Sequence, residues 1–300
     1  MKTKKHYRRS QRKKTGIVTP VLLVVALAIF AVLFMRTSQQ TPPLENKAAI
    51  IDQLASEQPD PDFYLAVQEI LVQHEISTYY YGYGAIDVDF YKNLPQMGCK
   101  LLIFRVHAAL NDKVNDLALF TDEQWSDEKA SSTYLSDVWN DRIVPVARTL
   151  EPDAQKYFGV TSKFIKESMN GRFDNVMIIM MGCDTLSTNK MAETFVKEKG
   201  AKFYTGWTGL VGAQHTDKAT KDLIEALLEG KNVEAAINEA MNKNGADPNF
   251  DSTLSWYPIE AGSTKLTNSH SENKIVTADY SQNSSRYIWL ANYAFQNKEE

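Results

Sequence analysis

The chain has 300 residues, enough for one large domain or two small ones, and its 43% hydrophobic content supports a sizeable core rather than disorder. Its charge is split: residues 1–16 hold eight Lys or Arg (Lys2, Lys4, Lys5, Arg8, Arg9, Arg12, Lys13, Lys14) and no acid, so 25 of the 33 basic residues face 37 acids in the remainder. That acidic balance excludes nucleic acid as an expected partner of the main domain, because phosphate contacts need clustered cations.

Residues 17–35 are uncharged over nineteen positions. At ~1.5 Å per residue they reach roughly 28 Å as a helix, close to the hydrocarbon thickness of a bilayer. A cleaved signal peptide has a shorter apolar region, ~7–15 residues, ending at a small-x-small site. This run ends instead at Leu33-Phe34-Met35-Arg36. The reading is a single-pass signal-anchor with residues 1–16 as a basic cytoplasmic tail. Positive charge on the amino side keeps that end in the cytoplasm and puts the main domain on the extracytoplasmic face of the cell membrane.

Residues 36–60 are polar with three prolines and read as a linker with one short helix around Ala48–Leu54, so the domain is expected over 61–300. The pattern then predicts a helix carrying Phe63, Leu65, Ile70 and Leu71, an aromatic strand at Tyr79–Tyr81, and a helix over Ile86–Leu94. Next come a strand over Leu101–Val106 and a short one at Leu117–Thr121. Asp122, Glu123, Asp127 and Glu128 read as a solvated loop, an acidic pocket for Lys or Arg being the alternative. Helical runs are expected around Ser131–Leu150 and Val160–Met169, followed by a strand over Val176–Met181. Downstream the alternation is plain: helix Met191–Lys199, strand Lys202–Trp207, helix Thr220–Leu228 capped by Thr216 or Asp217, and helix Val233–Met241. A last helix is expected at Tyr287–Phe295. Alternation at this spacing argues for an α/β fold, a mostly parallel sheet with helices on both faces.

Two of the expected strands end on reactive side chains, Leu101–Val106 on His107 and Val176–Gly182 on Cys183. Chemistry in open α/β sheets gathers at the carboxyl ends of the strands, and a thiol and an imidazole there are a nucleophile and its base. Cys99 precedes the first run while Cys183 follows the second. Parallel pairing therefore puts them at opposite edges, too far apart for a disulfide, which needs Cα atoms within ~7 Å. The histidines at 6, 74, 107, 215 and 270 show no ligand spacing, so no metal and no cofactor is expected.

The runs LLIFRVHA and NVMIIMMGCDTL, the intervening LALFT, the strand through Phe203–Trp207 and the helix opening at His215-Thr216-Asp217 resemble the caspase–gingipain–legumain clan of cysteine peptidases over roughly residues 75–245. The resemblance implies a caspase-like fold, a Cys183–His107 dyad, and a protein or peptide substrate cleaved by acyl transfer. It places the backbone amides of Cys183 and Ala108 as oxyanion donors, Ala108 standing where the clan usually has Gly. Gly182, Asp184, Trp207 and His215 are the candidate substrate-side residues, His215 being also a runner-up for the base. The alternative is a catalytically inactive domain of the same fold acting as an extracytoplasmic binding or sensor module.

Overall fold

The computed structural model describes residues 45–149 and 151–266. The anchor expected at residues 17–35 and the helix expected at residues 287–295 lie outside them. No helix among the described residues is long and apolar enough to cross a membrane.

The chain enters on β1 (Glu45–Asp52), a 3-10 turn (Gln53–Ser56) and α1 (Pro61–Gln73). The Asp60 carboxylate accepts the Phe63 amide and Pro61 takes the first turn of α1, where its missing donor costs nothing. Then follow β2 (Ser77–Tyr81), α2 (Val88–Asn93) and β3 (Cys99–Arg105). Further on, β8 (Met177–Met180), β9 (Phe203–Trp207) and β10 (Leu254–Tyr257) complete a six-stranded sheet of order β10-β9-β8-β3-β1-β2. All its pairings are parallel except that of β10 with β9.

The middles of β1, β3 and β8 are apolar because they are covered on both faces. Ala48 and Ile50 of β1, Leu101 and Ile103 of β3, and Met177 and Ile179 of β8 share one layer with α1, α7 (Ala213–Leu228) and α8 (Val233–Asn244). Their neighbours Ala49, Ile51, Leu102, Phe104, Ile178 and Met180 turn to the opposite layer, against α2, α5 (Ser162–Glu167) and α6 (Lys190–Glu193). Period-two alternation delivers the two sets to opposite faces. Each such Ile or Leu contributes about 1.5–3 kcal/mol by leaving water.

A second sheet is antiparallel, with order β4-β5-β7-β6 from β4 (Ala108–Asn111), β5 (Asp116–Gln124), β6 (Ile143–Ala147) and β7 (Lys156–Thr161). The short helices α3 (Asp127–Ser131) and α4 (Leu135–Trp139) lie between β5 and β6.

The structure corrects several expectations. Residues 45–56, expected within a linker, hold a strand at the heart of the main sheet, because Ala48–Ile51 is a buried apolar run that finds partners on both sides. LALFT belongs to the second sheet. Ile143–Ala147, expected as helix, and Lys156–Thr161, whose last two residues were expected to open a helix, pair with each other as β6 and β7, tertiary pairing overriding local pattern. Asp122 is buried rather than solvated, with its side chain 3% exposed. Thr216 and Asp217 do not cap α7: its N-cap is Gly212, and both residues are buried inside the helix.

Candidate active site

β3 and β8 lie side by side with Phe104 opposite Met180. His107 and Cys183 each follow that pair by three residues, so both emerge at the same carboxyl edge from neighbouring strands. The two turns are in contact. A Cβ on Gly182 would lie 2.8 Å from the Val106 carbonyl oxygen and 3.0 Å from the Ala108 methyl, so only glycine lets the cysteine turn close on the histidine turn.

His107 sits where the chain crosses from one sheet to the other, between the end of β3 and the start of β4. Its amide donates to Gln53 Oε1 at 3.0 Å, its carbonyl accepts from Phe120 N at 3.0 Å, and its Nε2 lies 3.2 Å from Glu57 Oε2. Glu57 also pairs with Arg148 Nη1, and Arg148 Nη2 reaches Asp122 Oδ1 at 3.2 Å. The Arg148 guanidinium lies 3.9 Å from the Tyr157 ring centroid, which limits its freedom. Burial pushes the imidazole below its usual value; Glu57 works against this, and Arg148 and Arg105 add to it. The ring is therefore neutral near pH 7, as a base must be.

Cys183 is half-buried and is held differently. Val211 N donates to Sγ at 3.5 Å, and Sγ lies 3.6 Å from the Val211 carbonyl oxygen. Among the described residues no hydrogen bond joins thiol to imidazole. Burial pushes the thiol above its usual value; the Val211 hydrogen bond eases this, and the carboxylates of Asp184 and Asp247 add to it. Thr185 clamps the turn, donating to the Gly182 carbonyl at 3.0 Å while accepting Trp207 N at 3.1 Å.

The candidate substrate-side residues are not gathered on one surface. Gly182 is buried and serves close approach. Asp184 is half-buried with φ +57°, a left-handed conformation uncommon for a non-glycine residue, and its amide donates to the Gly209 carbonyl. Trp207 is fully buried, its indole N–H donating to Thr216 Oγ1 at 2.8 Å, and so offers no surface to a substrate. A large ring at the end of β9 is driven under α7 into the apolar layer. His215 packs edge-on against Trp207, with ring centroids 5.3 Å apart, and its Nε2 finds no hydrogen-bond partner among the described residues.

Beneath the edge lies a charge cluster that reading the sequence missed. Arg105, 1% exposed, bonds Asp217 through Nε (2.8 Å) and Nη2 (3.0 Å), and Asp52 through Nη1 (2.9 Å). Burial raises both carboxyls, Asp217 to about 6, although Arg105 opposes the shift. Gln53, Glu57, Arg148, Thr185 and Asp247 were missed too. Gln53 and Glu57 had a signal: they follow the apolar run Ala48–Ile51, itself a strand ending in polar residues. Among the described residues no group of three or more His, Cys, Asp or Glu side chains is arranged to hold a metal ion.

No family model matches the sequence, and no curated protein matches it. Among solved structures, the chain is similar to the Arg-specific cysteine proteinase gingipain R, with a TM-score of 0.38 and 10% identity over 66% of this chain and 42% of that one. The match thus spans less than half of the gingipain chain. The class that the strands themselves define is a mixed α/β protein with a mostly parallel sheet flanked by helices.

Proposed function

We propose that this chain is a membrane-anchored hydrolase of the cysteine-peptidase kind on a caspase-like scaffold, cleaving peptide bonds of a protein or peptide substrate. Cys183 is the nucleophile and His107 the base. The observation that carries the reading is the register of β3 against β8, which brings a thiol turn and an imidazole turn into contact at one carboxyl edge.

In this reading Glu57 accepts the Nε2 proton of His107, which leaves Nδ1 to take the thiol proton as Sγ attacks the scissile carbonyl carbon. A thiol raised by burial needs such a base, since little thiolate forms unaided. The backbone amides of Cys183 and Ala108 receive the developing oxyanion, worth about 3–4 kcal/mol for a well-placed donor. The imidazolium then protonates the leaving amine, and water attacks the thioester to release the acid and the free thiol. The uncharged run 17–35 and the basic residues before it support an anchor with the domain on the extracytoplasmic face.

A second reading, a non-catalytic binding or sensor domain, is favoured by one observation: the thiol bonds Val211 and not the imidazole. Incubating wild type, Cys183→Ala and His107→Ala with a peptide library separates the two readings. Cleavage by wild type that is lost in both variants supports the enzyme. No cleavage, together with equal and slow alkylation of Cys183 in wild type and His107→Ala, overturns the dyad and leaves the binding domain.

A further inference from the structure

The loop at residues 208–212 that grips Cys183 is itself pinned by a second loop, residues 247–253. Asp247 is the centre of that pin. It is 2% exposed; its Oδ2 accepts Gly212 N at 2.8 Å, and its Oδ1 accepts Asn249 N at 2.9 Å and Phe250 N at 3.1 Å. Its own amide donates to the Ser252 carbonyl at 2.9 Å, and Ser252 Oγ donates to the Leu210 carbonyl. Thr208 N donates to the Thr253 carbonyl at 3.0 Å, and Thr253 N to Thr208 Oγ1 at 3.0 Å. Val211 lies between the Leu210 and Gly212 pins, and its N–H and carbonyl are the two partners of Cys183 Sγ.

We propose that Asp247 is a positioning residue of this site: by pinning Gly212 it seats the Val211 backbone on Cys183 Sγ and parks the thiol on Val211 rather than on His107 until the 208–212 loop moves. The proposal deepens the reading of Cys183 as nucleophile and rests on it for its consequence in turnover. The placement of the thiol can be tested without any substrate.

The charged and titratable groups around the thiol are Asp184 on its own turn, Asp247 from the 247–253 loop with His215 of α7 beside it, and His107 at the end of the adjoining strand. Burial works against the Asp247 charge, but the amides of Gly212, Asn249 and Phe250 and the neighbouring His215 outweigh it and hold the carboxyl below its usual value. Asp247 therefore stays ionised, and its charge disfavours the thiolate. The Asp247 charge thus keeps the sulfur quiet, while the Val211 backbone occupies the sulfur and fixes its position. The tips of the two loops carry Leu210 and Phe250, 47% and 49% exposed, where an arriving chain meets the pin first.

The test is iodoacetamide alkylation of the full chain, followed by mass mapping of the Cys183 peptide across about pH 6 to 10. Asp247→Asn removes the charge and one of the two acceptor oxygens, so Gly212 N and the Asn249 and Phe250 amides can no longer all be satisfied; Ser252→Ala removes a pin and no charge. Expected are labelling at neutral pH about fivefold faster in Asp247→Asn, with its pH midpoint moved down, and about twofold faster in Ser252→Ala through freer access, with the midpoint not moved down because the Val211 N–H favours the thiolate. A merely structural Asp247 lowers the melting temperature and leaves the midpoint in place. Wild-type labelling rate in either folded variant, or an unmoved midpoint in Asp247→Asn, overturns the proposal. Peptide cleavage by the same variants reports on the nucleophile reading separately, since altered alkylation without any cleavage retains the parked thiol and removes the peptidase.

Discussion

The two halves of the site are built from different materials. On the histidine side, Gln53, Glu57, Arg148 and Asp122 form a chain of charged and polar side chains that orients the imidazole from behind. On the cysteine side, the sulfur meets backbone atoms of Val211, and the side-chain order sits one layer back, at Asp247 and Ser252. The imidazole is thus organised in advance and the thiol is not. A side-chain network whose members also bond one another is held at several points, whereas a loop held by a few hydrogen bonds opens more readily.

The largest effect is expected at His107. His107→Ala is expected to lower peptide turnover about 10²–10⁴-fold, the usual worth of general acid–base catalysis, with the melting temperature nearly unchanged. Steady-state kinetics on a cleaved peptide checks this, and an intact rate denies the imidazole its role. Arg105→Leu is expected to cost about 3–5 kcal/mol in urea unfolding, because Asp52 and Asp217 are left buried without their cation. A cost below 1 kcal/mol, the usual worth of an exposed pair, would mean that water reaches the cluster.

A smaller effect sharpens the comparison. Glu57→Gln keeps a hydrogen-bond acceptor and loses the charge that works to raise the His107 pKa. Turnover should fall about tenfold, while the acid limb of its pH profile moves to lower pH. If that limb stays in place, Glu57 does not communicate with the imidazole. The smallest effect concerns Asp217. Its carboxyl, raised to about 6 from 3.8, adds stability that is full below the unfolded value and lost as pH rises through the folded one. Wild type should therefore lose a few degrees of melting temperature relative to Asp217→Asn between about pH 4 and pH 6. A pH-independent difference between the two proteins contradicts this.

Much of the scaffold was legible because its signals are local. The runs ending at His107 and Cys183 are unbroken and apolar, and a strand covered on both faces needs that composition regardless of its partners. The stripe Leu223, Ile224, Leu227 and Leu228 announced α7 for the same reason. β1 was not legible, because four buried residues amid polar and proline-rich sequence look the same in a tether as in a sheet. β6 became a strand by pairing with β7, and β7 by pairing with β5 and β6. Trp207 was misplaced because an aromatic beside glycines reads alike whether it lines a surface or fills a core.

That a thiol and an imidazole close two apolar strands is written in the residues, since burial dictates where such runs begin and stop. What each group touches emerges only once the chain is folded. The partners of His107 come from residues 53, 57 and 120, and those of Cys183 Sγ from residue 211, whose neighbour Gly212 is pinned by residue 247. Separations of this size along the chain carry no local signal. Hydrogen bonds across them form only when sheet register and loop closure bring distant backbone and side-chain groups to one edge, at an entropy cost that the packed core offsets.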